Sequence, residues 1–177
     1  MDPLYIIGQI LGGVAILLGF LSYQMRTQKQ LLLLQTLTSV VFVFHYLLIG
    51  ATSGMAMNVI NVFRNIVYYE RNRRGSNDKI LPIGFAVVLG TIGLLSWEAW
   101  YSIFVVLGLI INTLCMAFSD PQKVRKSILV TSPMVLIYDA FALSYGGIVY
   151  ESVAIVSSLI GILRKHRSMG EGREAKV

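Results

Sequence analysis

Four residues in the run Gly50–Arg74 carry the groups best suited to chemistry: Asn58, Asn61, Arg64 and Asn65. At about 100° per residue of an α-helix, with Asn58 at zero, Asn65 falls at about 340°, Asn61 at about 300° and Arg64 at about 240°. Three amides and a guanidinium therefore share about a third of one helix surface, in a stretch that is otherwise apolar. If that helix lies in a bilayer, a charge at mid-depth costs at least about 2.5–3.5 kcal/mol, so it must face a bundle interior or a water-filled path. The stripe is suited to holding a small polar solute. Arg64 would then line the pathway, binding an anionic group or pairing with a carboxylate. The simpler alternatives are amides that glue helices together, at an average of about 0.6 kcal/mol, and an Arg64 that snorkels to the headgroups.

A second set lies further along. Glu151 and Ser158 stand seven residues apart, hence on one helical face, in the apolar run Ile148–Leu163. Glu151 either contributes to the same site or is an interfacial carboxylate favoured by a helix N-terminus. His45 and Asp139, each set among apolar neighbours, are candidates for a gate or proton relay with Glu151; a satisfied core histidine is the commoner role for His45. No HExxH, no Cys/His metal spacing, no Gly-rich phosphate loop and no Ser/His/Asp set is present, so neither an enzyme, a metal nor a cofactor is expected. Cys115 is the single cysteine and has no intrachain partner.

The elements that must position these groups are membrane spans. Of the 177 residues 55% are hydrophobic and 14% charged, against about 25% charged in soluble domains. Seven apolar segments can be read: Leu4–Tyr23, Leu31–Ile49, Met55–Tyr69, Ile80–Trp97, Trp100–Phe118, Ile128–Leu143 and Ile148–Leu163. Most approach the roughly 17–25 residues a span requires; the third, sixth and seventh are short. Trp97, Trp100 and Tyr101 read as an interfacial aromatic belt. Gly8-x-x-x-Gly12, with Gly13 and Gly19, gives the first span a small face for close helix packing, or for a homo-oligomer contact. Met1-Asp2-Pro3 lacks the basic region of a cleavable signal, so the first span is expected to stay.

Every Lys and Arg except Arg64 lies in the first, third or fifth connection or in the tail, and the alternate connections have none. The positive-inside rule then places the N-terminus outside and the C-terminus in the cytoplasm. It also turns the net charge of +6 toward topology and anionic lipid, not nucleic acid. A shift of 93 residues brings Thr38-Ser39 onto Thr131-Ser132, Gly54 onto Gly147, Arg71 onto Arg164 and Arg74 onto Arg167. Two three-span units in the same orientation need one extra crossing between them, and Ile80–Trp97 supplies it. The expected fold is thus an all-α membrane protein with seven transmembrane helices in a 3+1+3 parallel-repeat arrangement. Repeat one covers 4–74, the linker helix 80–97 and repeat two 100–167, within one domain of 1–163 followed by a basic tail, 164–177.

Several of these stretches resemble the YgjV-like bacterial inner-membrane protein family. They are Gly19 to Gln24, the run Lys29–Gln35, His45-Tyr46-Leu47-Leu48-Ile49-Gly50, Asn58 and Arg64, and Ser144-Tyr145-Gly146-Gly147 followed by Glu151. The resemblance spans most of residues 5–167 and implies the bacterial inner membrane. The layout is similar to that of SWEET and PQ-loop transporters. Pro121-Gln122 looks like the PQ-loop dipeptide, in a loop before the sixth span, where the first repeat has Thr27-Gln28 instead. A transporter is the function expected, with a site built from Asn58, Asn61, Arg64, Asn65, Glu151 and Ser158 for a sugar, amino acid or similar solute. The other reading is a membrane receptor or scaffold of the same fold that transports nothing.

Overall fold

The computed structural model describes residues 3–25, 27–76, 80–116 and 121–174. These form seven α-helices: α1 (Pro3–Gln24), α2 (Gln28–Ile49), α3 (Thr52–Arg73), α4 (Ile80–Leu95), α5 (Ser102–Met116), α6 (Pro121–Phe141) and α7 (Tyr145–Glu174). Windows long and apolar enough to cross a membrane occur in α1, α2 and α7, while α4 and α5 are shorter apolar helices. The remaining two, α3 and α6, reach 22 and 21 residues, or about 32 Å at 1.5 Å per residue. They outrun their apolar segments because polar first turns join the helix. Proline is tolerated at the first helical position, where its missing N–H has no helical partner anyway, so Pro121-Gln122 opens α6 and does not lie in a loop. The side chains of Pro121 and Gln122, of Arg26 and Lys79, and of the tail from 164 lie outside the described residues.

Local chemistry sets the ends. Thr27, in extended geometry, accepts from Gln30 N and starts α2; Gly50, at φ 80°, ends it in the left-handed region that costs glycine nothing. The first turn of α3 has no such local cap, since Ala51 offers no side-chain acceptor. Glu98 takes the Ser53 amide at 2.8 Å, and the Tyr138 hydroxyl takes that of Gly54 at 2.7 Å. Here the tertiary structure satisfies amide groups that a helix start leaves open.

The distribution of polarity is the reverse of a water-soluble fold. Leu4, Ile7, Ile10, Leu17 and Leu21 leave one flank of α1 exposed, and Ile80, Ile83, Val87, Leu94 and Leu95 do the same on α4. Buried instead are Thr38, Ser39, His45, Asn61, Arg64, Asn65, Thr113, Thr131, Ser132 and Asp139. Lipid hydrates no polar group, so a membrane fold turns its apolar side chains outward and satisfies polar groups internally.

The interior is layered. Along α2, Leu31 and Leu32 are followed by Thr38 and Ser39 and then by Phe42 and Tyr46. The same order, apolar–polar–apolar, occurs along α6 with Val124 and Ile128, Thr131 and Ser132, then Val135 and Tyr138. On α3 it runs in the opposite chain direction, from Met57 through Asn61, Arg64 and Asn65 to Tyr68. Two apolar clusters thus close a polar layer from either side. Around it, α2 packs between α1 and α3, and α6 between α5 and α7. The ring closes where α1 meets α7 and α3 meets α5, with α4 against α5 and α3.

Candidate functional site

The polar layer holds a partly open cavity of about 90 Å³, lined from α2, α3, α5, α6 and α7. That is room for several waters and well below the roughly 300–1,000 Å³ of pockets for larger ligands. Of the six residues expected to bind solute, five line it: Asn58, Asn61, Arg64, Asn65 and Glu151. Ser158 does not. It is buried nearby, with an Oγ that has no hydrogen-bond partner.

Arg64 is 3% exposed, which removes the snorkelling alternative. Its Nε and Nη2 both donate to Asn65 Oδ1, at 3.1 and 2.9 Å, and its Nη1 donates to Thr113 Oγ1 on α5 at 2.7 Å. The Tyr68 hydroxyl donates to the Thr113 carbonyl at 3.1 Å, one turn further along α3. Among the described residues the ion pairs are those of Glu70 with Arg73 and Arg74, so no carboxylate neutralises Arg64. Of the two roles expected for Arg64, pairing with a carboxylate has no partner among the described residues.

The amides are only partly engaged. Asn58 Nδ2 donates to the Gly54 carbonyl of its own helix at 2.9 Å, whereas Asn61 Oδ1 and Asn65 Nδ2 are buried without a partner. Glu151 is hydrogen-bonded to Ser132 on α6. Buried polar atoms are normally satisfied, so two open amide atoms beside a cavity are atoms that a ligand or water would meet.

His45 and Asp139 lie outside the cavity lining, toward the end of the bundle that holds the short connections. They do not bond to each other. Asp139 Oδ1 accepts from the Tyr46 hydroxyl at 2.6 Å, and its Oδ2 has no partner. His45 Nδ1 lies 2.7 Å from the Gly8 carbonyl, which can only accept, so Nδ1 carries a proton. Its Nε2 lies 2.7 Å from Ser144 Oγ, which in turn accepts from Gly147 N at 3.1 Å. The same end is stitched by Tyr5 and Gln9, both donating to the Leu143 carbonyl, and by Gln9 accepting from Gly146 N. Three of the four glycines of the small face of α1 pack within the chain, Gly12 on Gly146, Gly8 on Leu48 and Ile49, and Gly19 on the Tyr150 ring, while Gly13 faces open space.

Sequence reading did not single out Tyr46, Ser132, Thr113, Asn112 or Glu98 for the site. Tyr46 was within reach, because the shift that aligns Thr38-Ser39 with Thr131-Ser132 also carries Tyr46 onto Asp139. Thr113, Asn112 and Glu98 carry no such signal, as isolated polar residues in or beside apolar runs.

Apolar flanks around a buried polar layer define a multi-pass integral membrane protein. A family model described as bacterial inner membrane protein, Imp-YgjV, matches residues 6–169, and the chain belongs to that family. No curated protein and no solved structure matches it.

Proposed function

We propose that the protein is a non-enzymatic transporter that moves a small polar solute by alternating access between two three-helix halves, α1–α3 and α5–α7, with α4 as the linker. The observation that carries this reading is Arg64: a buried guanidinium, paired with no carboxylate among the described residues, beside open amide atoms on a polar cavity. A scaffold would be expected to consume its polar stripe in contacts between helices; here part of the stripe is left open. The 3+1+3 arrangement is supported by the neighbour order, in which α1–α2–α3 and α5–α6–α7 repeat one another. It is supported too by cavity residues that fall in pairs at the 93-residue offset, Thr38 with Thr131, Ser39 with Ser132 and Asn58 with Glu151. The layout fits that of SWEET and PQ-loop transporters, with the N-terminus outside and the short connections on the outer face. Dense hydrogen bonding across that face fits a state shut to the outside.

The competing reading, a receptor or scaffold that moves nothing, draws on the small size of the same cavity. Flux separates the two. In proteoliposomes holding the purified chain, flux of small polar solutes is expected for the parent and lost in Asn58→Leu and Arg64→Leu. Parental flux in both variants, at equal folded protein, would exclude the site.

A further inference from the structure

Arg64 and its neighbour present more than a generic polar surface. A guanidinium has five N–H donors. Three are engaged, and all three meet neutral oxygens: two on Asn65 Oδ1 and one on Thr113 Oγ1. One N–H therefore remains on each of Nη1 and Nη2. Because Asn65 Oδ1 faces the cation, the orientation of that amide is settled, and its Nδ2, in a residue 1% exposed, is left as a buried donor with no partner. Both residues line the cavity. This part of the cavity offers open donors around a buried cation that no carboxylate pairs with among the described residues, with Asn61 Oδ1 as an open acceptor on the same lining.

We propose that Arg64 and Asn65 form a carboxylate-binding site and that the solute of this cavity is a small monocarboxylate. The inference deepens the transport reading above and rests on it for the passage of the solute, though not for binding. A carboxylate supplies two acceptor oxygens and a negative charge for the free N–H groups of Arg64, in charge-assisted contacts that are short and strong, and Asn65 Nδ2 is a further open donor on the same lining. A sugar hydroxyl supplies no charge to offset a buried guanidinium, and a monatomic anion cannot span the fork. A volume of about 90 Å³ limits the molecule to a few heavy atoms.

The test uses the full-length chain purified in detergent or nanodiscs, with calorimetry and thermal unfolding against sodium acetate, glycolate and lactate. Chloride, phosphate, glucose and methylammonium serve as comparisons at matched ionic strength. The monocarboxylates are expected to bind saturably and raise Tm, and glucose and chloride to do neither. Arg64→Lys, which keeps the charge and loses the fork, is expected to weaken binding about tenfold or more, a difference of about 1.4 kcal/mol. Asn65→Asp, which keeps the shape, removes the donor and supplies a carboxylate to Arg64, is expected to abolish it. Failure of every monocarboxylate to bind the parent, binding unchanged in Asn65→Asp, or preference for phosphate or chloride would overturn the proposal. Binding without flux in proteoliposomes would leave this site standing and remove transport. Flux of a neutral solute through a protein that binds no carboxylate would do the opposite.

Discussion

The Tyr46 hydroxyl donates to Asp139 Oδ1 across 2.6 Å, and the two residues stand 93 positions apart in the chain, the offset at which the two proposed halves align. Each also sits against the glycine that the offset relates: a Cβ on Gly54 would meet the Tyr46 ring at 2.8 Å, and one on Gly147 would meet the Asp139 carboxyl at 2.5 Å. Counterparts that touch each other lie next to the axis relating their halves. The bond therefore joins α2 to α6 on the axis the repeat implies, at the cavity's short-connection end.

Tyr46→Phe removes the donor and leaves a fully buried carboxyl oxygen unpaired, at a cost of about 1–3 kcal/mol. Asp139→Asn keeps an acceptor for Tyr46 and should cost less. The decisive quantity is the coupling energy from a double-mutant cycle of Tyr46→Phe with Asp139→Ala, read by reversible unfolding in detergent. Contacting pairs give about 0.5–3 kcal/mol; additivity of the two changes would mean that the bond does not form.

Gly12 and Gly13 are adjacent but face opposite surroundings. A Cβ on Gly12 would lie 2.8 Å from the Gly146 Cα, a backbone atom that cannot turn aside, and one on Gly13 meets nothing within 4 Å. Gly12→Ala is expected to destabilise by about 1–3 kcal/mol through overpacking. Gly13→Ala should be neutral or slightly stabilising, since alanine is the better helix former. Equal melting temperatures for the two variants would refute this packing of α1 on α7.

Glu98 holds the start of α3 from the connection between α4 and α5, accepting from Ser53 N and from the Thr52 hydroxyl. Glu98→Ala should cost about 0.5–2 kcal/mol, as the loss of a helix cap does. Glu98→Gln keeps an acceptor and forgoes only the charge at the positive end of the helix, about 0.3–1 kcal/mol. Hydrogen exchange at the amides of Ser53 and Gly54 would report the loosening directly.

At the other end of α3, beyond its apolar stretch, Glu70 accepts from Arg74 Nε at 2.8 Å and pairs with Arg73 at 3.0 Å. The Arg74 hydrogen bond, with Arg73 adding to it, holds the Glu70 carboxyl below its ordinary value. A depressed folded-state value means stability that is present at neutral pH and lost as pH falls below the usual carboxylate range. Glu70→Gln should therefore fray the last turn of α3 at pH 7 and match the parent in acid. Protection of the Arg73 and Arg74 amides, taken relative to the intrinsic exchange rate at each pH, that does not fall in acid in the parent would contradict the clamp. Both pairs are surface contacts, so added salt should weaken them.

Much of this protein could be read from its residues alone. Helix periodicity places Asn61, Arg64 and Asn65 on one face whatever they pack against, and the alternation of basic and neutral connections follows from how charge distributes across a membrane. The helical class, the seven segments and the cavity face of α3 follow from those two regularities. Periodicity does not determine how a helix is rotated against its neighbours. Nor does it give the depth at which a cavity ends: Glu151 lines it while Ser158, on the same face of α7 but seven residues further along, is buried outside its lining. It also cannot supply partners that lie far along the chain. Thr113 reaches Arg64 from 49 positions away and Glu98 caps Ser53 from 45, because the ring closure of α3 on α5 and the return of the α4–α5 connection bring them there. The sequence determined which groups had to be kept from lipid; packing alone decided which of them were satisfied, and so left Arg64 with no carboxylate partner among the described residues.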